Sequence, residues 1–503
     1  MDILTGLAQG FEVALAPMNL FWCFVGVFFG TIVGILPGLG PSATVALLLP
    51  LTMQMNPTAG IIMMAGIYYG AKYGGSTTSI LLNVPGESSS VVTCIDGFEM
   101  ARKGRAGPAL GIAAIASFVA GTVGVVLLML IAPPVAEFAL RFGPPEYFAL
   151  MALGLSMVVL LAGKSMLKAL AAMLVGLWLA TIGIDLFTDI GRYTYDQIEL
   201  MDGVNFVVVA IGTFAIGEVL ANLKPESTGQ MFAVPRGLRN LMPNWQDMKD
   251  CRFAFLNGSV VGFFVGVLPG AGSTIASFVS YGLEKAVSRR PERFGKGAVE
   301  GVAAPEAANN SETGGALVPL LTLGIPGSST TAILLAALIL WGLKPGPLLI
   351  QDNPQMFWGL VASMYIGNLM LLVLNLPLVP VFAQILRLPG YVLYPVILGV
   401  SVVGVYSVDQ RLFDVWLVGG FGLLGFLMRR LDYPSAPLIL GLVLGDLMEN
   451  AVRQSLMMSN GDISILYSRP LAATMLLLTA VILVGPLFRQ FNSWRLKAAE
   501  QEA

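Results

Sequence analysis

One apolar signature occurs twice in this chain, and each copy is broken in a way that a lipid bilayer tolerates only under strict conditions. Residues 26–44 read GVFFGTIVGILPGLGPSAT, and residues 258–276 read GSVVGFFVGVLPGAGSTIA. Gly34-Ile35-Leu36-Pro37-Gly38-Leu39-Gly40 aligns without a gap with Gly266-Val267-Leu268-Pro269-Gly270-Ala271-Gly272. GGSTTSILLNVPGESSS (74–90) likewise matches GGALVPLLTLGIPGSSTT (314–331) once one residue is inserted in the second copy. Pro removes a backbone donor and Gly frees the chain, so a helix is expected to break at each Pro-Gly. A break inside hydrocarbon leaves N–H and C=O groups without partners, and it survives only where protein or a polar cavity satisfies them. Duplicated apolar segments interrupted at corresponding places point to the binding site of a secondary transporter.

Composition agrees with a chain that is nearly all membrane. It is 56% hydrophobic and 12% charged, with a mean hydropathy of +0.79. Apolar stretches at 109–132, 147–163, 166–184, 204–221, 355–386, 391–408, 412–428 and 471–488 are each near the roughly 20 residues that cross a bilayer. The expected fold is an all-α polytopic membrane protein with roughly ten to fourteen spans. The formal charge of −2 says nothing about partners, and nothing points to nucleic acid. With no histidine, imidazole-based base, relay or metal chemistry is excluded. Cys23, Cys94 and Cys251 lie far apart and form no metal or CxxC pattern, so they read as packing residues. The N-terminus has no basic region or cleavage-like site, and no removable signal peptide is expected. No hydrophilic stretch is long enough for a soluble catalytic domain, and no phosphate-binding loop is present. The chain is not expected to be an enzyme or, alone, an ATP-driven pump. It carries no resident cofactor in this reading.

Lys and Arg mark the cytoplasmic side of short loops. Neither precedes Lys72, and the loop around Met53–Gly60 is uncharged, whereas its counterpart 284–301 carries Lys285, Arg289, Arg290, Arg293 and Lys296. After the Pro-Gly hairpins the bias reverses: Arg102, Lys103 and Arg105 in the first half, only Lys344 with Asp352 in the second. The acidic run 185–203 of the first half corresponds to Arg429-Arg430 in the second. Equivalent loops therefore fall on opposite sides. The expectation is an inverted-topology repeat, 1–221 and 253–449, joined by a cytoplasmic linker at 222–252. Residues 450–503 would supply a periplasmic connection, a final transmembrane helix and a cytoplasmic tail bearing Arg489, Arg495 and Lys497. For 19–51 to begin and end outside, it must turn back at 37–40, as two helices or a re-entrant hairpin.

The broken segments carry the candidate chemistry. In 75–97 two arms, each about half a span, flank Val84-Pro85-Gly86. Glu87, Ser88, Ser89 and Ser90 follow where a new helix would begin, and hydroxyls and free N–H groups at such a start attract an anion. Gly324-Ile325-Pro326-Gly327-Ser328-Ser329-Thr330-Thr331 repeats the logic without an acid at the Glu87 position. Two facing half-helix starts would suit a ligand with two or more carboxylates. Substrate-binding candidates are Ser76, Thr77, Asn83, Pro85, Gly86, Ser88, Ser89, Gly324, Pro326, Gly327, Ser328, Ser329 and Thr330; the bland alternative is hydroxyls bonded back to helix carbonyls around a kink. The uncharged breaks resemble unwound carbonyls that hold Na⁺ in other inverted-repeat carriers. They make Pro37, Gly38, Gly40, Pro269, Gly270, Gly272 and Ser273 cation-binding candidates, although a tight packing turn explains the glycines equally well. The stretch EGVAAPEAANNSETGG (300–315) reads as a polar loop at the mouth of the second hairpin; Glu306, Asn309, Asn310 and Glu312 within it are further candidates for a cavity or cation role. Glu218 and Asp446 occupy matching places in IGEVL and LGDLM and read as helix-end residues near water.

Longer runs carry a family resemblance: GILPGLGPSAT (34–44), YYGAKYGGSTTSILLNVPGESSSVVTCIDG (68–97), ARKGRAGPALGIAAIASFVAGT (101–122), GVLPGAGSTIASFVSYGLEK (266–285) and PEAANNSETGGALVPLLTLGIPGSSTTA (305–332). The chain resembles, over nearly its whole length, the large membrane subunit of the tripartite tricarboxylate transporter family. Ser311-Glu312-Thr313 departs from the pattern, where smaller or less acidic residues are expected. The resemblance implies a multi-pass protein of the bacterial inner membrane that imports tricarboxylates such as citrate, coupled to Na⁺ or H⁺. It also implies a small four-helix membrane subunit and a periplasmic solute-binding protein as partners, beside the membrane lipid. Import of another organic acid, a dicarboxylate or aromatic carboxylate, is the alternative, and an anion channel a more distant one.

The charge bias yields a direct test. Cysteine labelling from the periplasmic face is expected to fail at 98–107 and at 284–301 and to succeed at 342–354. Labelling of 98–107 and 342–354 from the same face would mean a parallel repeat.

Overall fold

The computed structural model describes residues 3–36, 39–161, 165–185, 187–223, 237–385 and 390–485. Pro37, Gly38, most of the basic linker (224–236) and the tail with Arg489, Arg495 and Lys497 lie outside the described residues. The first half runs through α1 (Ile3–Ala14), α2 (Pro17–Ile35), α3 (Pro41–Thr52), α4 (Pro57–Leu82) and α5 (Val91–Arg102). It continues with α6 (Ala106–Ala139), α7 (Pro144–Leu161), α8 (Met166–Ala180) and α9 (Phe206–Ala221). The second half holds α10 (Trp245–Val267), α11 (Gly272–Val287), α12 (Glu300–Leu323) and α13 (Ser329–Leu340). After these come α14 (Pro354–Ile385), α15 (Gly390–Asp409), α16 (Leu412–Arg430), α17 (Ser435–Met458) and α18 (Pro470–Gly485).

This is an all-α polytopic membrane protein. Among the described residues, eight helices are long and apolar enough to cross a bilayer. Strand among them is confined to one antiparallel pair, Gly183–Ile184 with Gly191–Arg192. Two compact units emerge, Met1–Ala139 with Asn205–Leu431 and Leu140–Val204 with Asp432–Ala503, so each unit draws on both halves of the sequence.

In the larger unit, two helix pairs are built on glycine. Gly26, Gly30 and Gly34 on α2 face the backbone of Met63, Ile67 and Ala71 on α4, so close that a Cβ at any of them would collide with a carbonyl. Gly66, Gly70 and Gly74 on α4 face α2 in return. Gly258, Gly262 and Gly266, the aligned glycines of the second repeat, set α10 against the carbonyls of Ala304, Ala308 and Glu312 on α12 in the same way. Helices in lipid gain no hydrophobic advantage by pairing, so contact over small residues spaced four apart is what holds them.

Two expectations about the hairpins need correction. The arms are unequal: α4 has 26 residues and α12 has 24, against 12 each for α5 and α13. Helix continues through Gly74-Gly75-Ser76-Thr77, where Gly74 packs on the α2 backbone and the Thr78 and Ser79 hydroxyls are satisfied by the Gly75 carbonyl. Residues 300–315 are not a loop but the first two-thirds of α12, and all are buried. Polar residues can lie there because most find partners inside the protein, described below.

The smaller unit packs α8 on α17, with Gly176 against Leu438 and Gly441 against Met173. Beside them an ion network joins Arg192 and Arg453 to Asp185 and Glu449. The Phe187 N–H and the Arg453 guanidinium hold the Asp185 carboxyl below its usual range. Asp446, exposed on α17, lines a cavity of about 480 Å³ with Asp185, Arg192 and Glu449. In the larger unit Glu218 lies in the last turn of α9 and pairs with Arg429. The helix-end expectation holds in position for Glu218, which is buried against Arg429 rather than in water, and not for Asp446, which lies midway along α17 and meets open space through the cavity.

Valine at Gly30 or Gly262 should destabilise the solubilised protein by about 1–3 kcal/mol, the usual cost of overpacking. Valine at Gly399, where an added Cβ meets nothing among the described residues, should change little. Thermal unfolding in detergent reads the difference; equal effects at all three sites would contradict the packing account.

Candidate functional site

The two hairpin tips are built alike. α4 stops at Asn83, which adopts the left-handed conformation (φ 58°), with Pro85 two residues on; α12 stops at Gly324 (φ 71°), with Pro326 two residues on. A left-handed residue followed by proline is a common way to end a helix. Each tip then restarts with a capping box: Glu87 with Ser90 in the first copy, Ser328 with Thr331 in the second. These pairs occupy equivalent places in the aligned repeats. Gly86 packs on the Gly34 carbonyl and Gly327 on the Gly266 carbonyl, so each tip rests on the end of the glycine helix of its own repeat. The Gly270 N–H also donates to the Gly327 carbonyl at 2.8 Å.

Across the repeats the contacts are reciprocal. Ser42, at the start of α3, lies 2.7 Å from the Ser329 hydroxyl and 2.9 Å from that of Thr330. Thr274, at the start of α11, donates to Ser88 at 2.9 Å. Ser42 aligns with Thr274 and Ser329 with Ser88. One contact is therefore the other after exchange of the repeats, which is the signature of a two-fold relation. Four helix starts meet at this crossing, each presenting hydroxyls.

Beneath it lies a charged cluster. Lys72 on α4 is the only lysine or arginine among the described residues that is buried. It donates to the Ser273 hydroxyl, sits 5.4 Å from the centre of the Tyr68 ring, and lies 3.6 Å from Glu312 and 3.9 Å from Glu87. The Tyr68 hydroxyl donates to Glu312 at 3.2 Å. Glu87 accepts from Ser89 and, at 3.0 Å, from Asn309, and the Asn309 Oδ1 lies 2.9 Å from the Ser89 hydroxyl, which shares its one proton between the two. Glu306 has no basic partner within salt-bridge reach among the described residues; the hydroxyls of Ser76 and Thr93 each donate to it at 2.5 Å. An isolated buried carboxylate is strongly unfavourable unless such bonds satisfy it.

The candidates read from sequence divide between these places. Ser88, Ser329 and Thr330 stand at the crossing, and Ser273 reaches it through Lys72. Gly86, Gly324, Pro326 and Gly327 shape the tips and are buried; Asn83 and Pro85 form the turn of the first tip. Ser328 is engaged as a cap by the Thr331 N–H. Ser76 and Ser89 serve the buried carboxylates, and Thr77 lines a small cavity with Ser76, Tyr73 and Ser117. Asn309 binds Glu87, whereas Asn310 donates to Ser117 at 2.7 Å. Gly40 caps α3, Pro269 and Gly270 form the turn before α11, and Gly272 opens that helix. Ser42, Tyr68, Lys72 and Thr274 were not singled out for a site role in the sequence. The legible signal for Lys72 is a lysine inside an apolar helical run.

A family profile described as the tripartite tricarboxylate transporter TctA family matches residues 20–440. The chain is 48% identical, over the full length of both, to an uncharacterized 52.8 kDa protein of the TAR-I ttuC' 3' region of Agrobacterium vitis. It is 43% identical to an uncharacterized protein of the TAR-II ttuC' 3' region of the same organism, over 46% of this chain and 97% of that one. No solved structure matches it. Motifs, helices and profile agree: the chain belongs to the tripartite tricarboxylate transporter TctA family.

Proposed function

We propose that this protein is the membrane carrier of a cation-coupled importer of tricarboxylates such as citrate, and that the substrate binds where the two tips cross. The observation that carries the reading is the pair of reciprocal contacts, Ser42 with Ser329 and Thr274 with Ser88. Hydroxyls and helix N-termini of both repeats converge there, and Ser273, next to Thr274, ties one buried lysine to them, a combination suited to a small polyanion. A two-fold crossing of this kind also has two equivalent ways to open, one for each pair of contacts, as alternating access requires.

The family context supports the rest of the system: a small four-helix membrane subunit, a periplasmic binding protein that delivers the substrate, and a bacterial inner membrane. The coupling ion would be Na⁺ or H⁺. Three buried acids, Glu87, Glu306 and Glu312, stand near the single buried lysine, so a proton or metal cation entering with the anion would find acidic groups to receive it.

Uptake of labelled citrate into cells carrying all three components tests the reading. A hydrogen bond to a charged group contributes about 1.5–3 kcal/mol, so Ser88→Ala or Ser329→Ala should raise the apparent citrate constant roughly 10- to 150-fold. Ser328→Ala removes a cap and should instead lower stability by about 1 kcal/mol. Wild-type affinity in both Ser88→Ala and Ser329→Ala would place the substrate elsewhere.

A further inference from the structure

Lys72 and Glu312 hold the same position in the two repeats. Each lies two residues before the aligned glycine pair, Gly74-Gly75 in one and Gly314-Gly315 in the other. Equivalent positions meet only where they lie close to a two-fold axis, and here two such positions carry opposite charges, both buried, 3.6 Å apart.

The contact is close but not consummated. A charge-assisted N–H···O bond normally spans about 2.7–2.9 Å; Lys72 stands farther than that from both Glu312 and Glu87, while one of its three N–H donors goes to Ser273. Glu312 is equally unfinished. One of its oxygens takes the Tyr68 hydroxyl, while Oε1 is buried with no hydrogen-bond partner among the described residues. A buried acceptor left unmade carries a desolvation cost. The groups around the pair also lead to the crossing. Ser273 precedes Thr274, which touches Ser88, and the Tyr68 hydroxyl lies 3.5 Å from Ser328.

We propose that Lys72 is the counter-charge for a carboxylate of the transported anion, and that Glu312 is an internal carboxylate that holds Lys72 while the substrate is absent. The inference rests on the carboxylate-carrier reading and adds to it a specific competition. A substrate carboxylate takes Lys72 by displacing Glu312, and the remaining carboxylates of the substrate fall to the hydroxyls of the tips. Glu312 thereby sets affinity from within: it keeps the lysine placed, at the cost of weakening the ligand that replaces it. Glu87 at 3.9 Å is placed less favourably for that role, since it already closes the capping box and takes the Ser89 and Asn309 bonds.

Binding of citrate, tricarballylate and succinate to the purified full-length chain in detergent, measured by calorimetry, decides the matter. Glu312→Gln should bind at least one of the three about tenfold more tightly than the wild type, the scale of one charged hydrogen bond. Lys72→Gln should weaken binding by at least as much, and the double variant should behave like Lys72→Gln. A purely structural ion pair predicts the opposite pattern: both single variants lose binding and the double variant recovers it. Should Glu312→Gln fail to fold, Glu312→Asp, which keeps the charge but draws it back from Lys72, takes its place, with tighter binding expected. Wild-type binding left unchanged or weakened in the Glu312 variant overturns the competition alone. Unchanged binding in Lys72→Gln overturns the role of the lysine. Failure of all three carboxylates to bind either the wild type or Glu312→Gln overturns the carrier reading together with this inference.

Discussion

Backbone against backbone is the contact on which the rest depends. Gly26, Gly30 and Gly34, with Gly258, Gly262 and Gly266, bring α2 onto α4 and α10 onto α12 at a distance no side chain would permit. That closeness fixes where each long helix ends, and therefore where each Pro-Gly tip stands. The tip glycines then rest on the last carbonyls of the same glycine helices, Gly86 on Gly34 and Gly327 on Gly266. In a bilayer, where an unsatisfied backbone group costs several kcal/mol, a broken helix needs such a wall of protein beside it. The crossing of hydroxyls above Lys72 follows from this support.

The chemistry beneath the crossing depends on asymmetry inside a symmetric frame. The contacts of Ser42 and Thr274 exchange with the repeats, but the charges do not. Glu87 has Ser328 as its counterpart, and Lys72 has Glu312. A strictly duplicated chain would face like charges across the two-fold and repel itself there. Divergence at these two positions turns a structural axis into a polar centre with one cation and an excess of acid.

Much of this was legible in the sequence, for reasons that can be named. Pro-Gly in an apolar run announces its own break, and the duplication places the two breaks in equivalent positions. Helix starts at Ser88 and Ser328 follow from the same chemistry. What was not legible depended on tertiary partners. The polar run 300–315 reads as a loop by composition, and only Ser76 and Thr93, from the other repeat, make Glu306 acceptable inside a helix. The first arms of the hairpins are longer than the sequence predicts because a Gly-Gly pair that weakens an exposed helix is tolerated in one pressed against a neighbour. The caps also redistributed roles. Ser328 looked like an anion ligand, yet its hydroxyl is engaged with Thr331, and the residues beside it face Ser42.

The most direct test of the account is to tie the crossing shut. In a background with Cys23, Cys94 and Cys251 replaced, cysteine pairs at Ser42 with Ser329 and at Ser88 with Thr274 would be joined by a short bis-thiosulfonate reagent and citrate uptake measured before and after reduction. The account predicts that either cross-link abolishes uptake and that reduction restores it, because substrate must pass between the tips. Full uptake in a quantitatively cross-linked protein would contradict it.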